Sequence, residues 1–237
     1  MKEFRSPILT LCLGLVISGL TSTVAQAAAS KDDLQDRVDA AKVVVDEILN
    51  TPDSTIPLNI LKQATCVAVI PSLKKGAFVV GAEYGRGIVT CRTGHGWSAP
   101  AFITLAGGSF GFQIGGQATD LILVAVNDHG FQDLLKSKFK IGGDAAASAG
   151  PVGRNSQAAT DWKMGAELLT YSRSKGLFAG IDLNGASVSQ SADDTQIYYG
   201  EAHGFRSILK GDVPVPEGAV PLVKAVAHAF VDAKANN

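Results

Sequence analysis

Between Ser30 and Pro52 the apolar residues Leu34, Val38, Ala41, Val45 and Ile48 recur at steps of three and four, the spacing of one face of an α-helix. Ser30 with Asp33 has the form of a capping box, and Pro52 stops the run, so the pattern predicts an amphipathic helix over 32–49. Pro57 opens a shorter helical stretch, "PLNILKQA", with Leu58 and Leu61 on one face. From Cys66 to Val126 the pattern changes to short extended runs separated by turns: "CVAVIP", "GAFVVGAEYG", "GIVTCRTG", "PAFITLAG", "FGFQIGG" and "DLILVAV". These runs predict a sheet.

A helical stretch follows in "DHGFQDLLKSK", with Asp128 as its cap, and then further extended segments from Phe139 to Ser191. Within them "GLFAGIDL" and "ASVSQS" flank Asn184-Gly185, the strongest two-residue hairpin signal, because Asn-Gly takes the positive φ angles of that turn. The chain returns to helix in "AHGFRSILKG" and "AVPLVKAVAHAFVDAKA", where Val223, Val226, Ala227 and Phe230 form one apolar face. The expected fold is α+β: a curved, glycine-rich antiparallel sheet, barrel- or sandwich-like, flanked by N- and C-terminal helices.

One apolar run fits neither period. Lys2 and Arg5 precede "ILTLCLGLVISGL", and Ala25-Gln26-Ala27 follows it as a small-residue cleavage site, which predicts a signal peptide over 1–27, cleaved after Ala27. The run is shorter than the roughly 20 apolar residues that span a bilayer. The expectation is an exported protein, periplasmic or secreted, with one domain over 28–237. Removing the leader removes Cys12 and leaves Cys66 and Cys91, an even count where disulfides persist. A Cys66–Cys91 disulfide is therefore expected, against the alternative of two buried thiols. If "CVAVIP", "GAFVVGAEYG" and "GIVTC" are three successive strands, the first and third run in the same direction and the cysteines fall at opposite ends. The pairing then requires strong coiling or a third run paired elsewhere.

The formal charge of -1, with 21 Lys and Arg against 22 Asp and Glu, gives no electrostatic reason to expect nucleic acid. Gly107-Gly108-Ser109-Phe110-Gly111 fits the G-x-S-x-G nucleophile elbow, with His129, His203 and His228 downstream as possible bases. An elbow needs a helix after the serine, and here Phe110, Phe112 and Ile114 alternate with Gly111, Gln113 and Gly115 at the strand period. The same glycines lack the Lys of a phosphate loop, and the scattered histidines and the Asp182, Asn184, Gly185 cluster make no metal site. No cofactor is expected. Cations stand out instead: Lys74 and Lys75 in an expected turn, Arg86 in the next one, and Arg92, with a second group of Arg154, Arg173 and Lys175. Lysines and arginines gathered at one end of a sheet suit phosphate head groups.

Four segments, "VAVIPSLKKGAFVVGAEYGRGIVTCR", "GWSAPAFITLAGGSFGFQIGGQATDLILV", "GGDAAASAGPVGRN" and "YSRSKGLFAGIDLNG", together resemble the SYLF domain family, in the family's order and from the first helix to about Gly211. The resemblance implies non-catalytic binding of anionic phospholipid or a membrane surface, with Lys74, Lys75, Arg86, Arg92, Arg154, Arg173 and Lys175 as candidate contacts. For eukaryotic members it also implies actin binding, which an exported chain would not meet. The family's N-terminal amphipathic helix corresponds to 32–49. Here that helix carries Asp32, Asp33, Asp36, Asp39, Asp46 and Glu47 against Lys31, Arg37 and Lys42, an acidic polar face ill-matched to an anionic membrane. The readings from other classes are a serine hydrolase using Ser109 and a structural or interaction module of the cell envelope.

Overall fold

A computed structural model describes residues 28–50, 56–77, 80–110, 115–152, 166–174 and 177–235. The leader expected over 1–27 lies outside them. The helical period of the first segment produces α1 (Lys31–Asn50), and its capping box closes reciprocally. Asp33 N–H donates to Ser30 Oγ at 3.1 Å, and Ser30 N–H donates to Asp33 Oδ2 at 2.9 Å. The bond from Ser30 N–H holds the Asp33 carboxyl below its ordinary pKa. Leu34, Val38, Ala41, Val44, Val45 and Ile48 are buried. In α2 (Leu58–Gln63) the buried pair is Ile60 and Leu61, whereas Leu58, expected on the apolar face, is exposed. Pro57 is the N-cap rather than the first helical residue.

The strands are β1 (Cys66–Ala77), β2 (Val80–Thr93), β3 (Gly96–Trp97), β4 (Ala101–Phe110), β5 (Gly115–Ala125), β6 (Lys138–Lys140), β7 (Ala147–Ala149), β8 (Leu168–Ser174), β9 (Leu177–Gly180) and β10 (Ser187–Gln190). They form one strongly curled sheet, a half-barrel, in the order β6-β10-β4-β2-β1-β5-β8-β7, with β3 on β2 and β9 on β8. The expectation of an antiparallel sheet holds except at one edge, where β7 lies parallel to β8. Parallel neighbours need a long connection, and Ala149 and Leu168 are far enough apart in the chain to supply one.

"CVAVIP" and "GAFVVGAEYG" are not separate strands. β1 continues through Pro71 with a bulge: between the partnered pairs Ile70–Leu121 and Leu73–Thr119, the two residues Pro71 and Ser72 face the single residue Asp120 of β5. Ser72 takes φ 52°, and its N–H donates to Asp120 Oδ1 at 2.9 Å. The second run is therefore divided, its start ending β1 and its end beginning β2, so Cys66 and Cys91 become direct cross-strand partners. Their Cα atoms are 4.0 Å apart, the two residues are bonded through sulfur, and both are fully buried.

Helices cover both faces. On the front lie α1, α2, α4 (Ala192–Tyr199) and α6 (Val220–Ala235), packed on Val67, Val69, Ile88, Phe102, Ile122 and Val124. On the back lie α3 (Asp128–Leu134) and α5 (Phe205–Lys210), packed with Ile70, Leu73, Val89, Ile103, Leu121 and Leu123. The cap of α3 is Asn127, not Asp128: Asn127 Oδ1 accepts from Gly130 N–H at 2.9 Å. α4 sits just past the end of the expected extended region. Gly87 belongs to the back face, where an added Cβ would fall 2.3 Å from Val69 O and 2.6 Å from Ile70 Cγ1. Glycine there lets β1 fold over β2.

The Asn184-Gly185 turn exists, but the hairpin does not. Ala186 N–H donates to Leu183 O at 3.0 Å, and only Gly185 of the central pair has positive φ, 94°, the pattern of a type II turn. β9 pairs with β8, and β10 lies between β4 and β6. Local turn chemistry set the reversal, and the partners came from the rest of the sheet.

Candidate functional site

Of the cations singled out by sequence, Arg154 and Lys175 lie outside the described residues. The other five lie in strands rather than turns, and the bulge at Pro71-Ser72 decides where the first two point. A one-residue insertion switches the faces of everything beyond it, so Lys74 joins the front face while Lys75 follows Leu73 to the back. There Lys75 Nζ lies 3.3 Å from a carboxylate oxygen of Glu83, whose side chain is 9% exposed. Lys75 is thus spent on a neighbour.

Arg92 serves the core. Its Nε donates to Ala64 O at 3.1 Å, its Nη2 donates to Phe230 O at 3.3 Å, and its guanidinium lies 4.9 Å from the Trp97 ring centre. Burial lowers its pKa. The contacts clamp α6 to the sheet and leave little for a ligand. Arg173 is engaged in the same way: Nε donates to Asp120 Oδ2 at 2.8 Å, and Nη1 pairs with Glu47 of α1. Asp120 also accepts from Ser72 N–H, so Arg173 fixes the bulge that orients Lys74. It is a positioning residue.

Lys74 and Arg86 remain, and the structure brings them together. Lys74 is directly opposite Tyr84 across β1 and β2, and Arg86 stands two residues further along β2 on the same face. Arg86 Nε donates to Tyr84 Oη at 2.9 Å, a bond that raises the arginine pKa further and fixes the guanidinium beside the ring. Tyr84 is 44% exposed. Lys74 is exposed and makes no ion pair among the described residues. Around them the same face carries Ala82, Ala106, Gly108 and Ala118, all exposed. The sheet here extends past the positions the helices cover and exposes short side chains, two cations and one aromatic ring. Sequence reasoning passed over Tyr84, although an aromatic two residues before an arginine in a glycine-rich strand was the available signal.

Ser109 lies in β4, its backbone partnered with Gly81 of β2, and strand resumes at Gly115. The described chain after Ser109 continues as sheet, without the strand-to-helix turn of an elbow. His129 is paired with Glu167 at 3.7 Å and His203 with Glu201 at 3.1 Å. Among the described residues no three His, Cys, Asp or Glu are gathered as a metal site, and no helix is long and apolar enough to cross a membrane.

A family model, Ysc84, described as "Las17-binding protein actin regulator", matches residues 106–229. Lys74, Tyr84 and Arg86 precede that segment. The chain is 36% identical over 185 residues to "SH3 domain-containing YSC84-like protein 1" of Rattus norvegicus, covering 77% of this chain and 54% of the relative. It is 33% identical over 183 residues to "Protein YSC84" of Saccharomyces cerevisiae, covering 75% and 39%. With "LAS seventeen-binding protein 3" of the same yeast it shares 30% identity over 221 residues, covering 90% and 47%. The chain spans about half the length of the curated relatives it matches.

Proposed function

Because the chain belongs to the Ysc84 (SYLF) family, we propose that it is a non-catalytic binding domain that docks on anionic phospholipid surfaces through Lys74, Tyr84 and Arg86. The observation that carries this reading is the cluster itself: an exposed ammonium, a hydrogen-bonded guanidinium and a half-exposed tyrosine on one face of the sheet beyond the helices. Near an anionic bilayer each Lys or Arg contributes about 1 kcal/mol, and tyrosine suits the boundary between head groups and acyl chains. α1 takes no part in docking in this account, since its apolar face is buried in the front core and its exposed face is acidic.

The leader pattern and the buried Cys66–Cys91 pair support export to an oxidising compartment. Las17 and actin are named for the family and the relatives, and in an exported chain the sheet surface meets membrane instead. The test is sedimentation of the mature protein with phosphatidylglycerol-containing vesicles and with pure phosphatidylcholine vesicles. Binding to the first alone, weakening with salt, is expected because exposed charges are screened over about 8 Å at physiological ionic strength. Lys74→Ser with Arg86→Ser should weaken partitioning about 30-fold, two cations' worth. Equal binding to both vesicle types, or to neither, would refute the reading.

A further inference from the structure

The register of the sheet extends the surface around Tyr84 well beyond the three residues named. Following cross-strand partners outward, Tyr84 is opposite Ala106 on β4, Ala106 opposite Ser187 on β10, and Ser187 opposite Lys140 on β6. In the other direction Tyr84 is opposite Lys74, and Lys74 opposite Ala118 on β5. A second row runs beside it: Arg86, Thr104, Ser189 and Lys138. All of these are on the front face, because their neighbours Leu105, Val188 and Phe139 are packed in the back core. Six neighbouring strands at a spacing of about 4.8 Å make a band roughly 24 Å wide.

The band is cationic. Lys138 and Lys140 are exposed at one edge and make no ion pair among the described residues. Between them and the central pair lie Ser187, Ser189, Thr104 and Ala106, with Thr104 Oγ1 2.8 Å from Oγ of Ser191 at the start of α4. Two acids near the band are engaged: Asp194 is paired with Arg37 at 2.7 Å, and Asp144 Oδ2 accepts from Lys140 N–H at 2.8 Å. A row of separated, exposed cations along one face of the sheet matches the spread negative charge of a bilayer surface.

We infer that Lys138 and Lys140 form the outer half of one extended membrane-docking face whose inner half is Lys74, Tyr84 and Arg86. This rests on the membrane reading above and adds to it the residues and the geometry: an anionic bilayer laid across β6, β10, β4, β2 and β1, rather than a single head group held in a pocket.

The experiment compares four forms of the protein on phosphatidylglycerol-containing vesicles: wild type, Lys74→Ser/Arg86→Ser, Lys138→Ser/Lys140→Ser, and Lys210→Ser/Lys224→Ser as a charge-matched control on exposed helical positions away from the band. The edge pair should weaken partitioning about 30-fold, like the central pair, while the control changes it less than about 3-fold. Soluble glycerophosphoglycerol should not compete. If the central pair matters and the edge pair behaves like the control, the extended face is wrong while the membrane reading stands. An edge pair that only increases aggregation, as loss of strand-edge protection would, overturns it equally, and so does full competition by the soluble head group. Failure of wild type to bind vesicles overturns both readings together.

Discussion

Breaking the Cys66–Cys91 pair tests the central hairpin without altering its exposed surface. The two cysteines lie 25 residues apart, at the end of β1 and β2 away from the projecting strip, and both are fully buried. In the chain-entropy model, a cross-link closing a loop of that length restricts the unfolded chain by about 3.5 kcal/mol at 25 °C. For a domain of this size a change of 1 kcal/mol shifts Tm by about 2–4 °C, so losing the bond should lower Tm by about 7–14 °C. The cleanest comparison uses one sequence in two states: protein purified without reductant, and the same protein unfolded, reduced, alkylated and refolded, each melted by circular dichroism. Cys66→Ala/Cys91→Ala serves as the second form, in case the alkyl groups prevent refolding. Because both sulfurs are buried, the native protein should also resist reductant until it unfolds. Two alkylatable thiols in protein purified from an oxidising compartment and denatured without reductant would refute the pairing. A Tm shift below about 3 °C would refute the magnitude.

Gly87→Ala should destabilise the domain by about 3 kcal/mol, the upper range for forced overpacking, because the new methyl meets backbone at Val69 O; Gly94→Ala, with nothing within 4 Å of its Cβ position, should stay within ~0.5 kcal/mol in urea unfolding. Ser109→Ala should leave stability within ~0.5 kcal/mol of wild type and vesicle binding unchanged, and a fluorophosphonate probe should not label Ser109; covalent labelling would restore the hydrolase reading. Asp33 has a lowered pKa in the folded state, so the stability it contributes is present above its unfolded value and lost as pH falls through the folded one. Asp33→Asn should therefore melt below wild type at neutral pH and converge with it below about pH 4, and a gap that persisted in acid would contradict the capping role.

Features set by neighbours in the chain were legible in the sequence. The capping box of Ser30 and Asp33 formed as its residues implied, and the turn at Asn184-Gly185 reversed the chain. Features set by distant residues were not. Arg173 read as a free cation because Asp120, 53 residues away, and Glu47 of α1 gave no sign that they would reach it. Lys74 and Lys75 read as a pair because nothing in "PSLKKG" marks the bulge, whose Ser72 N–H bonds Asp120, a residue of another strand. Pro71 looked like the end of a strand, and that single error moved two lysines into a turn, turned two strands into three and made the cysteine pairing look awkward. Tyr84 was hidden for a related reason: its importance lies in the bond from Arg86 and in the bare Ala and Gly surface around it, both products of register.

The central claim is that the projecting strip of the front face touches membrane, and lysine footprinting tests it directly. Acetylation of each lysine is followed by mass spectrometry with and without phosphatidylglycerol-containing vesicles. Lys74 should become protected on the vesicle while Lys62, Lys210 and Lys224 react as before. Unchanged reactivity at Lys74 in protein that is demonstrably vesicle-bound, or protection spread evenly over all four, would contradict it.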